Sequence, residues 1–340
     1  MHKLYNNNRM FLDPSSPIGD NLMYPFFYMG KLAAGLGHKA ETLDMDEINN
    51  FDAVVLIDFP TSKNKHFSEL LKNNFKNLYL ITSESPIINR ENFNLKNHKY
   101  FKKIFTWSDD LIDSQSPSDK KYFKLNYCHK IPENLEFNQH REKLCALIAS
   151  NKFTAHPKEL YSERIKAIRW FEKNHPEDFD LYGKGWDRHY FHGSLLGINL
   201  ARLNKLEFLA KIFARRYPSY KGSIKSKNET YQNYKFAICY ENVKDFPGYI
   251  TEKIFDCFLA GCVPIYLGAS NITRHIPKET FIDKRNFKTY EELYSYIKTM
   301  PDQDYFKYQN AIAEFLKSDK SYQFSAECFA KTLFSEIKKD

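Results

Sequence analysis

Tyr234-Lys-Phe-Ala-Ile-Cys-Tyr-Glu-Asn242, Gly248-Tyr-Ile-Thr-Glu-Lys-Ile254 and Gly261-Cys-Val-Pro-Ile-Tyr-Leu-Gly268 together decide the fold. Within the first, Phe236 to Tyr240 is a continuous apolar run of strand length, the pattern of a strand covered on both faces. The second opens a helix at Thr251, for which Gly261 fits the C′ position. The third is another buried strand. Strand, helix, strand at this spacing is a βαβ unit, with parallel strands and a right-handed crossover.

Outward from this unit the alternation repeats. Leu144 to Ala149 reads as a strand, Lys158 to Asn174 as a helix with Ile165, Ile168 and Phe171 inward, and Phe179 to Gly183 as a strand. Earlier in the chain, Phe51 to Asp58 and Asn77 to Thr82 are strands. They flank a helical stripe of Phe67, Leu70, Leu71 and Phe75, and Phe101 to Trp107 is a further strand. The polar stretch Ile131 to Arg141 is the linker. The expected architecture is α/β, with two Rossmann-like domains facing across a cleft, 1–138 and 139–318. A C-terminal helix, 319–340, is expected to cross back to the first domain.

With 42% hydrophobic and 27% charged residues in 340, wholesale disorder is excluded. No apolar run reaches the roughly 18 residues of a membrane span, and Met1 to Arg9 has no signal-peptide character. Six cysteines without a Cys-x-x-Cys pair read as reduced thiols in a cytoplasm. The net charge of +8 is local: residues 188–227 hold nine basic residues against Glu207 alone, and residues 1–140 are balanced. A globally basic nucleic-acid binder is not expected. Within this segment, Leu203, Leu206, Leu209, Phe213 and Tyr217 form one helical stripe, expected to pack inward behind a basic face. That face is compatible with solvent or with peripheral contact to anionic lipid.

Several short motifs carry little. Asp-x-Asp occurs at Asp44/Asp46, Asp178/Asp180 and Asp302/Asp304, where chance gives roughly one, so the three are weak evidence, and Asp178/Asp180 sits at a strand entrance where a structural role is expected. His189 and His192 have no third ligand nearby, so no metal is expected there. Chemistry concentrates in the opening segment instead. Its strand delivers Glu241 and Asn242 at the carboxyl end, where open α/β sheets bind ligands. The helix from Thr251 offers a positive dipole end, and Lys253 in its first turn adds a full charge. Together these suit a pyrophosphate. Glu252 beside them suits paired ribose hydroxyls.

The run from Phe236 to Phe287 resembles the signature of the α1,3/4-fucosyltransferases, glycosyltransferase family 10. The matching residues are Tyr240-Glu-Asn, Tyr249-Ile-Thr-Glu-Lys, Val263-Pro-Ile-Tyr-Leu-Gly and Pro277-Lys-Glu-Thr-Phe-Ile-Asp. Ala149-Ser-Asn with Arg164 resembles the opening of the family's donor domain, and Glu84-Ser-Pro resembles its acceptor-domain motif. The resemblance implies a GT-B enzyme that binds GDP-fucose between its domains and inverts the anomeric centre. Arg164 and Lys253 would hold the diphosphate and Glu252 the ribose. Asn242 and Tyr249 would line the donor pocket, and Glu84 would be the general base. No cofactor or protein-bound metal is implied.

The implied acceptor is a hydroxyl of a GlcNAc-containing or related surface glycan, lipopolysaccharide among them and lipid-linked acceptors included, with an α1,3-type linkage. Another GDP-sugar donor and a non-catalytic GDP-sugar-binding adaptor are the alternatives. Departures lie in the loop 243–248 and the long segment 186–230. Neither the transmembrane stem of animal members nor the heptad repeats of some bacterial ones is expected. Loops Ile18 to Met29 and Ser83 to Phe93 are expected to line the acceptor side of the cleft. With 39 Lys against 11 Arg, the chain reads as bacterial and cytoplasmic, with peripheral contact at the inner face of the plasma membrane as a separate expectation.

Overall fold

Short runs of β-branched and aromatic residues, each followed by a helix, build two parallel sheets in the computed structural model, which describes residues 11, 22–61, 64–137, 140–191, 194–195 and 198–339. The first sheet has the order β1 (Val54–Ile57), β2 (Leu78–Thr82), β3 (Lys103–Thr106), β4 (Tyr122–Lys124). Helix α1 (Tyr24–Gly35) precedes it, α2 (Lys65–Lys72) links β1 to β2, and α3 (Asp109–Asp113) follows β3. Strand β2 is buried throughout, and Val54 to Ile57 pair in register with Leu78 to Ile81.

The second sheet is built from β5 (Lys143–Ile148), β6 (Phe179–Tyr182), β7 (Tyr234–Tyr240), β8 (Val263–Leu267) and β9 (Ile282–Asp283), in the spatial order β9-β8-β7-β5-β6. All of its pairings are parallel. The strand order reverses between β5 and β7, and such a switch point opens a crevice at the strands' carboxyl ends. Between these strands lie α4 (Tyr161–Asn174), α5 (Glu207–Ile212), α6 (Lys227–Tyr231) and α7 (Glu252–Leu259), and α8 (Tyr290–Lys298) and α9 (Asp302–Lys317) follow β9. Helix α7 ends as the sequence implies: Gly261 has φ +66°, and an added Cβ would meet the Phe137 ring at 2.5 Å.

The last helix, α10 (Ala326–Lys338), crosses back to the first domain and packs along α1. Phe329 meets Phe26 edge-on at 5.2 Å and joins Leu333 in a cluster with Tyr79 and Phe105 of the first sheet. The outgoing and returning crossings pair with each other. His129 N donates to Phe324 O at 2.8 Å, and Ala326 N to His129 O at 3.1 Å.

Two expectations are corrected. Ile18 to Met29 is not a cleft loop: Tyr24 to Met29 are the first turns of α1, paired with α10, and residues 18–21 lie outside the described residues. The stretch 203–217 is not one helix packed by its apolar stripe. Helix α5 spans six residues, and Leu206, Phe208, Ile212 and Phe213 are all more than half exposed. Of its neighbours, residues 192, 193, 196 and 197 lie outside the described residues, and His192 of the His189 pair is among them. Asp178 and Asp180 do prove structural, bonded to Tyr294 and Lys298 and to Tyr234 and Lys143. Among the described residues, no helix is long and apolar enough to cross a membrane.

Candidate active site

The carboxyl ends of both sheets meet, and the junction is polar as well as aromatic. Asp109, at the start of α3, receives His275 Nε2 at 2.6 Å and Asn271 Nδ2 at 2.7 Å from the second domain. Lys124 of its own domain donates to it at 2.6 Å. Burial alone would raise the Asp109 carboxyl, but these donors outweigh it and hold the group well below the usual range. Beside it, Gly248 has φ +83° and lies so close to Trp107 that a Cβ would meet the Trp107 carbonyl at 2.2 Å. Only glycine combines that backbone with that approach.

Tyr249 follows, fully buried, with its ring 4.7 Å from Trp107 and 6.2 Å from Tyr127. Expected to line the donor pocket, it sits in the wall where the two domains join. Next to it the end of β7 turns sharply. Glu241 is fully buried and accepts Thr251 N at 2.8 Å and Thr251 Oγ1 at 2.7 Å, which ties the end of β7 to the start of α7. Lys253 Nζ bonds Thr251 Oγ1 at 2.8 Å and pairs with Glu241 and Glu252, each at 3.3 Å. Burial would raise Glu252, yet Lys253 and Lys227 hold it far below the ordinary range; burial would lower Lys253, yet Glu252 and Glu241 hold it above its own. Both side chains are charged and largely buried, an arrangement that stands only as a network.

Arg164 is buried on the inner side of α4, not on a solvated face. Its Nη2 donates to the carbonyls of Tyr240 at 2.6 Å and Glu241 at 2.8 Å, and to Asn242 Oδ1 at 3.2 Å. The guanidinium thereby fixes the strand end that carries Glu241 and Asn242. Glu84, from the loop after β2, is half-buried, and burial followed by repulsion from Asp58 raises it above the ordinary glutamate value. Lys152 and Lys253 pull it the other way, and Glu252 adds to the rise. The first domain's carboxylate and the second domain's ion cluster therefore share one electrostatic site.

Sequence reasoning missed four members of this site. Lys152 lies on the loop after β5, and nothing in its sequence context marks it. Tyr161 opens α4, and its buried hydroxyl, which has no hydrogen-bond partner among the described residues, feels the charges of Arg164, Lys253 and Glu84. Tyr127 donates its hydroxyl to Ser83 O. Asp58 lies at the end of β1. Asp-x-Asp counting drew attention elsewhere, and only the fold brings these four together. A separate cavity of about 660 Å³ lies beneath the first sheet, lined by Phe26, Val55, Ile57, Leu333 and Ile337 among others, and it reaches Asp58 but not Glu84, Glu252 or Lys253.

Residues 138–332, more than half of the chain, match the model described as glycosyltransferase family 10 (fucosyltransferase), C-terminal region. The chain is 37% identical over 76 residues to the alpha-(1,3)-fucosyltransferase FucT of Helicobacter pylori, covering 22% of this chain and 16% of that protein. It is 36% identical over 102 residues to the mouse 4-galactosyl-N-acetylglucosaminide 3-alpha-L-fucosyltransferase 9, covering 28% of each. The matched segments are thus well under half of these relatives' lengths. The crystal structure of Staphylococcus aureus TarM superposes with a TM-score of 0.52 at 14% identity, over 93% of this chain and 59% of that one, a likeness of GT-B fold. The chain belongs to glycosyltransferase family 10, the fucosyltransferases.

Proposed function

We propose that the protein is an inverting fucosyltransferase that moves L-fucose from GDP-fucose to a hydroxyl of a GlcNAc-containing or related surface glycan in an α1,3-type linkage. The observation that carries this reading is the placement of Glu84, from the first domain, in the same electrostatic site as Glu252 and Lys253 of the second. In the reaction the acceptor oxygen attacks the fucosyl anomeric carbon from the face opposite the leaving group. Its proton passes to Glu84 as the bond to the β-phosphate breaks and GDP departs. Base and leaving group lie on opposite sides of the reacting carbon, so inversion follows from their residence on different domains.

Lys253, the start of α7 and Arg164 stabilise the negative charge that gathers on the diphosphate. Glu252 accepts the ribose hydroxyls, and Asn242 and Tyr249 shape the pocket. The experiment is a thermal-shift screen of nucleotides and nucleotide sugars, followed by turnover. GDP and GDP-fucose are expected to raise Tm, with about 2.7 kcal/mol of stabilisation at a hundredfold excess over Kd, and UDP-sugars are not. Turnover of another GDP-sugar in place of GDP-fucose overturns the donor assignment, and binding without any turnover marks an adaptor instead.

We further propose that the surface around α5 rests on an anionic bilayer, where lipid-linked acceptors are found. Phe208 is 73% and Phe213 59% exposed, and Lys205, Lys211, Arg215 and Arg216 are exposed around them. Apolar rings within a cationic rim match a membrane interface: each basic side chain contributes about 1 kcal/mol near anionic lipid, and the rings add burial. The protein is expected to float with phosphatidylglycerol vesicles and not with phosphatidylcholine ones. Phe208→Ser with Phe213→Ser, and separately Arg215→Ser with Arg216→Ser, should each abolish flotation. Retention by both double variants sinks the idea.

A further inference from the structure

The loop that carries Glu84 is held by a residue from another strand. Asp58 follows β1 with φ +60°, in the left-handed region that costs energy for any residue but glycine. Its buried Oδ1 accepts Ser83 N at 2.7 Å, Glu84 N at 2.9 Å and Asn92 Nδ2 at 2.7 Å, and its Oδ2 accepts Ser83 Oγ at 2.8 Å. Asn92, fully buried, closes the other side. Its Nδ2 also donates to Glu84 O at 3.2 Å, while its Oδ1 accepts Phe59 N at 2.6 Å. Glu84 is therefore gripped at both its N–H and its C=O.

These bonds do not require a carboxylate. An asparagine tolerates the left-handed region at least as well as an aspartate. Its Oδ1 would accept the same three N–H groups, and its Nδ2 would donate to Ser83 Oγ, a hydroxyl able to play either part. What aspartate adds is charge, next to a half-buried carboxylate. We propose that Asp58 is a positioning residue for Glu84, clamping its peptide and setting a second carboxylate beside it.

This rests on the reading of Glu84 as the general base. Besides Asp58, the charges of Lys152 from the loop after β5 and of Glu252 and Lys253 from α7 act on Glu84, and Glu84 acts in turn on the hydroxyls of Tyr127, Tyr161 and Tyr249. Burial and Asp58 push Glu84 up, in that order, and the two lysines oppose them. A base works only when ionised, so activity falls as pH drops through the Glu84 value. Removing the Asp58 charge lowers that value, moves the acid limb to lower pH and leaves a weaker base on the plateau.

The test is GDP release from GDP-fucose in water, measured against pH. Asp58→Asn is expected to move the acid limb of kcat/KM down by about half to one pH unit. It should lower plateau kcat about 3- to 10-fold with KM unchanged, where simple loss of structure would leave the limb in place. Ser83→Ala, which strips the Asp58 Oδ2 of its hydrogen-bond donor, should move the limb the opposite way, and it serves as the test if Asp58→Asn does not fold. A limb that coincides with wild type in whichever variant folds overturns the proposal. Glu84→Gln separates the two readings. If that variant still releases GDP at the wild-type rate, the base assignment fails; if it is inactive while the limb stays put, only the role of Asp58 fails.

Discussion

Glu84→Gln should lower kcat for GDP release from GDP-fucose by about 10²–10⁴-fold while leaving GDP affinity within a few-fold of wild type. Glutamine matches the shape of the side chain but cannot accept a proton, so it removes the chemical step and little else. The backbone clamp on residue 84 runs through its N–H and C=O, which the substitution leaves untouched. GDP binding is expected to rest on Arg164, Glu252 and Lys253 from the other domain. Removing a carboxylate that faces this cluster relieves repulsion toward an incoming diphosphate, so any change in GDP affinity should be a gain. Calorimetric titration of GDP beside a GDP-release assay separates the two effects. A variant with wild-type kcat would refute the base role, and a parallel loss of GDP binding would mean that Glu84 belongs to the donor pocket.

Lys253→Met should act on stability and on ligand binding through different atoms. Glu241 is fully buried, and Lys253 at 3.3 Å is the cation paired with it. Without the lysine, the buried carboxylate keeps, among the described residues, the two donors of Thr251 and loses its paired cation. Breaking one side of a buried ion pair costs about 3–5 kcal/mol, a fall in Tm of roughly 10 °C for a domain of this size. Adding Glu241→Gln removes the stranded charge while keeping a side chain able to bond Thr251, so the double variant should regain most of the lost Tm. GDP binding should not return with it, because one of the two cations proposed for the diphosphate is still missing. Recovery of both together would show that Lys253 serves the fold alone; recovery of neither would place its stabilising role outside the pair with Glu241.

What could be read in the sequence, and what could not, divides by range. Phe236 to Tyr240 was legible because a strand buried on both faces reads as an unbroken apolar run. The end of α7 was legible because Gly261 answers a local need for positive φ. Helix α1 was not, since Tyr24 to Gly35 is apolar on most sides and is covered by α10, about 300 residues away in sequence. The stripe at 203–217 misled for the opposite reason: its spacing was helical, but the structure leaves Leu206 and Phe213 of it outward and buries only Tyr217. Of the site, Glu252 and Lys253 were legible as neighbours in one turn. Asp58 was not, because its importance lies in a backbone angle and in bonds to Ser83, Glu84 and Asn92. Nor was Asp109, whose partner His275 lies 166 residues away.

The paired crossings at His129 and Ser325 also set how the lobes are free to move. A chain that leaves a lobe and returns beside its own exit ties the two halves with one paired strap. Sliding one lobe past the other would stretch both crossings at once, whereas turning about the strap stretches neither. Turning, however, separates Asp109 from His275 and Asn271, so these bonds between the two lobes resist the one rotation that the strap permits.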